Sequence, residues 1–294
     1  MAAEDAMQRF TIHPQTAIGM VALRVADLDR AQRFYSEVLG LRVLEREGPR
    51  LRLTADGARP LLELEALPGA RPKPPRTTGL YHFAILTPDR RALARSLRRL
   101  LTLRYPLTGA SDHGVSEALY LDDPDGNGIE IYHDRPRHAW PMQGTAVRMS
   151  VDPLDLDALL AELSDTEPWE GLDPATRIGH VHLHVADLRQ AEAFYCDVLG
   201  FTLMQRYGNS ASFVAAGGYH HHLGLNVWAG VGAPPPPPDA VGLRFFEIRL
   251  PTPAALEQVL TRVHAAGLTP QATPQGWLLR DPSQNALVLV ADAQ

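Results

Sequence analysis

The 294-residue sequence has a single cysteine, Cys196. It therefore has no internal disulfide and no cysteine-built zinc or iron–sulfur site, and any bound metal must be held by histidine and carboxylate. No apolar run approaches the roughly 20 residues that a membrane-spanning helix needs. The opening MAAEDAMQRF lacks the basic and then apolar blocks of a signal peptide, so the expected location is the cytoplasm. Basic residues are not in excess. Lys and Arg total 28 against 34 Asp and Glu, and the net charge of −6 offers no field for a nucleic-acid backbone or an anionic membrane. Small molecules are the expected partners. With 45% hydrophobic and 21% charged residues the chain reads as ordered and long enough for two domains. The twelve histidines cluster rather than scatter.

The chain repeats itself. IGMVALRVADLDRAQRFYSEVLGLRVL from Ile18 aligns without a gap on IGHVHLHVADLRQAEAFYCDVLGFTLM from Ile178, at an offset of 178 − 18 = 160. Each copy reads as an alternating strand, an Asp-Leu cap, a helix with Phe34, Tyr35, Val38 and Leu39 or their counterparts on its apolar face, and a stop at Gly40 or Gly200. Short alternating segments follow: LRLTADG and RPLLELEAL in one copy, ASFVAAGG and YHHHLGLNVW in the other. The unit is β-α-β-β-β. More diverged copies start at Gly79 and Gly242, and the first of these carries a hairpin turn from Asp123, Pro124, Gly126 and Asn127. An α+β fold of four such modules follows, with an N-terminal half over 1–145, a connecting segment over 146–176 in which VDPLDLDALLAELS reads as helical, and a C-terminal half over 177–294. The prolines from Pro234 to Pro238 form a semi-rigid spacer between modules 3 and 4.

Four modules with a DPDGNGIEIY ending resemble the vicinal oxygen chelate superfamily, which holds glyoxalase I, bleomycin-resistance proteins and type I extradiol dioxygenases. His113, Leu119-Tyr120, Asp123-Pro124, Gly126 and Glu130 are similar to the extradiol ring-cleavage signature, with Ser111 as the one departure. Together with LYHFAIL, IGHVHLHV and GGYHHHLGLN they point to the bacterial catechol 2,3-dioxygenase group. The resemblance implies a 2-His-1-carboxylate metal site of His82, Glu130 and His180, holding Fe(II), with Mn(II) as an alternative. It implies a substrate pair of catechol, or a substituted catechol, and O2, and a 2-hydroxymuconic semialdehyde as product. His113 and Tyr120 correspond to groups that hydrogen-bond substrate or oxygen, and His221 to the acid–base histidine. His222 is expected to touch substrate, although strand phase leaves open which of His220, His221 and His222 face inward. Any one of these histidines alone would read as a core residue; their joint occurrence favours the site. A homo-oligomer is compatible with the resemblance. Two other classes share the fold: a glyoxalase-like metal-dependent isomerase or lyase, in which the His220–His222 strand supplies a fourth ligand, and a metal-free binding protein of the bleomycin-resistance kind.

The ligand positions also predict how the modules pair. The first-strand positions are Met20, His82, His180 and Phe245, and the positions after the turns of modules 2 and 4 are Glu130 and Val288. Only modules 2 and 3 together hold two histidines and a glutamate. The expected arrangement is therefore two open half-barrels, 2 with 3 and 1 with 4, formed within one chain or by a swapped dimer, the second barrel being structural.

Overall fold

Alternation along the first strand of every module sorts side chains onto two faces. In β1 (Ala17–Val25), Val21, Leu23 and Val25 enter the main core while Met20 and Ala22 face the other way. In β5 (Gly79–Leu86), Phe83 and Ile85 enter the core and His82, Ala84 and Leu86 face away. The computed structural model describes residues 10–144, 146–164 and 166–292; the boundary expected at residue 145 and the first nine residues lie outside them. Module 1 continues with β2 (Arg42–Glu47), β3 (Arg50–Thr54) and β4 (Pro60–Ala66), and module 2 with β6 (Gly109–Asp112), β7 (Ser116–Asp122) and β8 (Gly128–Asp134). Three two-residue strands, β9 (Met142–Gln143), β10 (Ala146–Val147) and β11 (Asp152–Pro153), lie in and next to the connecting segment. Module 3 holds β12 (Arg177–His184), β13 (Thr202–Tyr207), β14 (Ala211–Ala215) and β15 (Leu223–Asn226); module 4 holds β16 (Gly242–Leu250), β17 (Gln271–Thr273), β18 (Gly276–Arg280) and β19 (Ala286–Ala291). The helices are α1 (Leu28–Arg33), α2 (Arg90–Thr102), α3 (Leu156–Leu160), α4 (Leu188–Glu192) and α5 (Pro253–Ala265).

The modules pair across the duplication, as the ligand positions require. One sheet runs β17-β18-β19-β16-β1-β4-β3-β2 and the other β11-β6-β7-β8-β5-β12-β15-β14-β13. Modules 1 and 4 thus share a sheet through antiparallel β1 and β16, and modules 2 and 3 through antiparallel β5 and β12, all within one chain. Two segments are shorter than the sequence suggests. The helix expected in VDPLDLDALLAELS covers only Leu156–Leu160. The strand expected from Tyr219 starts at Leu223: Gly217 and Gly218 turn the chain at positive φ, and of the three histidines only His222 bonds its neighbours through the backbone, its N–H to the Val214 carbonyl and its carbonyl to the Val181 N–H.

The helices end where the sequence indicates. Asp27 and Asp187 cap α1 and α4 by accepting the Arg30 and Gln190 N–H groups. Each helix continues as one π-helical turn, Phe34–Val38 and Ala193–Val198, and stops at Gly40 and Gly200, with φ of 84° and 90°. Both glycines are needed twice over, since an added Cβ would meet Trp169 at Gly40 and Phe10 at Gly200. The segments that cover them are exchanged between the halves. Leu172 donates its N–H to the Gly40 carbonyl, and Ile12 donates to that of Gly200. An arginine from the next module completes each junction. Arg99 of α2 bonds the Glu37 carbonyl and lies over Trp169, while Arg262 of α5 bonds the Asp197 and Val198 carbonyls and lies over Phe10.

A second repeated device ties each odd module to the even one that follows. Asp123 Oδ1 accepts the N–H groups of Asp125 and Asn127, which shapes the turn, while its Oδ2 accepts the Tyr35 hydroxyl at 2.8 Å. Asp281 does the same for Ser283 and Asn285, with Tyr195 at 3.1 Å. Each Oδ2 also accepts an asparagine amide, Asn127 or Asn285, so removing the tyrosine hydroxyl loses one of two hydrogen bonds to a buried charge, which costs about 1–3 kcal/mol. Tyr35→Phe and Tyr195→Phe are therefore each expected to lower stability by about that amount, and to act additively when combined because the latches are separate. Urea titration of the three variants measures this; an unchanged midpoint in both single variants would show that the latches carry no stability.

Candidate metal centre

The centre of the nine-stranded sheet brings three donors onto one face. Ala84 of β5 lies opposite Glu130 of β8 on one side and opposite His180 of β12 on the other, and His82 precedes Ala84 by two residues on the same face. The methyl side chain of Ala84 leaves the space between its neighbours free. His82 Nε2 and His180 Nε2 each stand 3.0 Å from Glu130 Oε2. One ligand atom from each residue falls within a 4.8 Å span, and all three residues are buried. Two ligands at right angles on an ion with bonds of about 2.1 Å stand about 3.0 Å apart, so the spacing fits a small divalent cation. The hydrogen-bonding pattern fits it too: His82 Nε2 is buried and, despite its closeness to the carboxylate, makes no hydrogen bond. Burial pushes the Glu130 carboxyl up, but His180 and His82 outweigh it and hold the group well below its usual range. Burial also lowers the His180 pKa against the pull of Glu130, which favours the neutral, ligating imidazole.

At the corresponding positions of the eight-stranded sheet Met20, Phe245 and Val288 pack with Ala22, Ala286 and Val290 in an apolar cluster. The space that holds donors in one sheet is filled by hydrocarbon in the other.

His113 and Tyr120 stand beside the donors. Tyr120 lies opposite Glu130 in the β7–β8 ladder. His113 Nδ1 is 2.7 Å from the Ser150 carbonyl, which can only accept, so in the neutral ring Nε2 accepts the Tyr120 O–H, also at 2.7 Å. Burial, then the nearby Glu130 charge, raises the Tyr120 pKa far above that of a free phenol. The histidine triplet divides. His220 Nε2 is 2.8 Å from Asp134 Oδ1 and its Nδ1 is 2.8 Å from His221 Nδ1. With Nε2–H donated to the carboxylate, His220 Nδ1 accepts the His221 Nδ1–H, and Nε2 of His221 keeps its lone pair. His221 lines the cavity and packs on His180 at 4.1 Å between ring centroids. Burial and the surrounding imidazoles of His180 and His220 hold its pKa well below the ordinary histidine value. His222, expected to touch substrate, does not line the cavity: its Nδ1 accepts the Ala216 N–H and its ring packs against Tyr219.

Above the donors lies a cavity of about 400 Å³. His182, which alternation places on the face of His180, points in, and Gly224 opposite it must be glycine, since an added Cβ would fall 2.6 Å from the imidazole. The other walls come from residues that the sequence does not single out. Met149, Ser150 and Val151 of the connecting segment form one wall, held there by Gln205, whose amide accepts the Met149 N–H and donates to its carbonyl. Tyr81, Tyr207 and Trp228 surround the opening. No motif marks these residues; only Tyr81, next to His82 on β5, stands beside a ligand position, while Tyr207 ends β13 and Trp228 lies in the turn after β15.

The model of the glyoxalase/bleomycin resistance protein/dioxygenase superfamily matches residues 17–131 and 177–289. The catechol-2,3-dioxygenase of Bacillus subtilis (strain 168) is 48% identical over 282 residues, covering 95% of this chain and 98% of that protein. Among solved structures, a dioxygenase candidate from Bacillus subtilis subsp. subtilis strain 168 has a TM-score of 0.66 at 16% identity, covering 97% of this chain and 87% of the other. Glyoxalase I from Zea mays has a TM-score of 0.56 at 18% identity, with 94% and 92% covered. At these identities the two structures share the fold.

Loss of any one donor is expected to abolish stoichiometric binding of a divalent metal, so His82→Ala, Glu130→Ala and His180→Ala should emerge metal-free from gel filtration after loading. Met20→Ala and Val288→Ala should keep the metal while losing about 1–3 kcal/mol of stability to the cavities they open. Elemental analysis and thermal melts separate the two outcomes, and metal retained by the donor variants would place the site elsewhere.

Proposed function

This chain belongs to the glyoxalase/bleomycin resistance protein/dioxygenase superfamily and, within it, to the extradiol dioxygenases; from that premise we propose that it cleaves catechol, or a substituted catechol, next to its two hydroxyls with Fe(II) and O2, giving a 2-hydroxymuconic semialdehyde. The observation that carries the reading is the grouping of His82, Glu130 and His180 at the floor of a cavity that His113, Tyr120 and His221 also border. Three protein ligands on one side of an ion leave positions for both diol oxygens and for dioxygen. Iron bound there would supply electron transfer between the diol and dioxygen; Mn(II) suits the same donors.

The protein's own groups then handle protons. His221, neutral at rest and with Nε2 turned to the cavity, can take a proton from the entering diol and return it later as an acid. His220 and Asp134 stabilise the cation formed in between, since the Asp134 carboxylate accepts from His220 and His220 accepts from His221. Tyr120 stays a phenol whose O–H is given to His113, itself held by the Ser150 carbonyl, so the phenol oxygen is oriented to accept a hydrogen bond from a diol hydroxyl. His220 and His221 are buried, which keeps bulk water from them, while His113 and Tyr120 are half-buried on the side where the cavity opens. Two of the three candidates for a fourth ligand of the isomerase are occupied elsewhere, His220 by Asp134 and His221 and His222 by the Ala216 N–H, which leaves only His221 Nε2 for that role, and the grouped donors are His82, Glu130 and His180.

Protein loaded anaerobically with Fe(II) is expected to consume one O2 per catechol and to form the yellow ring-fission product; cis,cis-muconate, or no oxygen uptake across a panel of catechols, would refute the proposal. Replacing Fe(II) by Mn(II) tests the choice of metal. His221→Phe should keep the iron yet slow turnover by about 10²-fold or more, the usual scale for a positioned proton carrier. Iron lost with His221 would make that residue a ligand and revive the isomerase reading.

A further inference from the structure

The wall of the cavity is rich in aromatic and imidazole groups and poor in positive charge. Among the described residues that line it there is no lysine or arginine, and its two carboxylates are Glu130 at the floor and Asp122 at the rim. Two nearby cations are committed elsewhere. Arg135, on the β6–β8 side, pairs with Asp112 at 2.6 Å and Glu117 at 3.3 Å. Lys73, the only lysine of the sequence, lies against Gly79 and Gly242 and bonds the Thr77 carbonyl. Glu130 and the diol oxygens already match the charge that a divalent ion brings, so a second anion in the cavity would find no partner. An unpaired carboxylate taken out of water is strongly disfavoured.

The opening is apolar instead. Of the nine large hydrophobic residues most exposed among those described, four stand at this one opening: Tyr81, Val151, Tyr207 and Trp228. Tyr81 and Trp228 meet edge to face with centroids 5.2 Å apart. Such grouping of exposed apolar side chains marks a surface that is covered in use, and it is continuous with the cavity that holds the donors.

We propose that this mouth receives the ring substituent of the diol and selects catechols whose substituent is uncharged and apolar, rejecting those that carry a carboxylate. This rests on the dioxygenase reading and adds the substrate class to it. The test compares two ligands that differ by one charge. Displacement of the coloured probe 4-nitrocatechol from anaerobic Fe(II)-loaded protein gives the affinity of 3,4-dihydroxyphenylacetic acid, of its methyl ester and of catechol. The ester is expected to bind at least about 30-fold more tightly than the acid, roughly the effect of one unpaired charge kept in a partly solvated mouth. Val151→Arg should narrow the gap by about 10-fold by giving the carboxylate a partner at the rim. Equal binding of acid and ester, as would follow if a second copy of the chain rather than substrate covered the mouth, overturns the proposal alone. A Val151→Arg protein with an unchanged gap overturns the placement of the substituent. If catechol itself does not bind, the dioxygenase reading fails and this inference with it.

Discussion

Everything in the site depends on the antiparallel union of β5 with β12. It is a join between two first strands, each of which brings a histidine to the middle of a sheet that neither half could build alone. The register sets the chemistry. Side chains alternate with period 2, so a slip of one residue would turn His180 into the core and bring Val181 to the cavity. Between the bulges at Ile178/His180 and His182/Leu183 the register is regular, His180 opposite Ala84 and His182 opposite His82, so alternation puts both histidines on the side that His82 faces. The parallel pairing of β5 with β8 then adds Glu130.

Such a site asks much of its surroundings. His82, His180, His182, His220 and His221 are buried within a few ångströms of one another, and burial together with mutual repulsion keeps His180, His182 and His221 toward the neutral state. Two carboxylates divide the cluster between them. Glu130 draws on His82 and His180, and Asp134, through His220, governs His221 from the other side. The two groups of histidines thus have separate counter-charges, although His180 and His221 are in ring contact.

Much of this was legible in the sequence because it is local. The 160-residue repeat, the Asp caps, the stop glycines and the Asp123 turn are all short-range patterns, and the identity of the residues at equivalent positions was enough to infer which modules pair. His82, Glu130 and His180 could be named because each sits at a repeated place in its module. The rest depends on contacts between distant segments. Tyr35 and Tyr195 read as apolar helix positions, and nothing nearby reveals that their hydroxyls reach Asp123 and Asp281. Met149–Val151 reads as connector, and only Gln205 makes it a cavity wall. Strand phase leaves two choices for the triplet, His221 alone or His220 with His222, and only the side-chain bonds to Asp134 and Ala216, made across distant segments or a tight turn, decide for His221.

The junctions at the helix ends have a further meaning. Ile12 meets Gly200 and Leu172 meets Gly40; 12 + 160 = 172 and 40 + 160 = 200, so each half does to the other what is done to it. That reciprocity is the mark of an isologous interface, the kind formed by two identical subunits about a two-fold axis. The chain is in this sense a dimer with its subunits joined. The connecting segment holds the partner at a fixed effective concentration, so assembly no longer depends on how much protein is present. Nor must the two subunits remain alike. A symmetric dimer repeats every substitution at both of its sites, whereas here Met20 and Phe245 fill one barrel with hydrocarbon while His180 and His82 keep their nitrogens in the other.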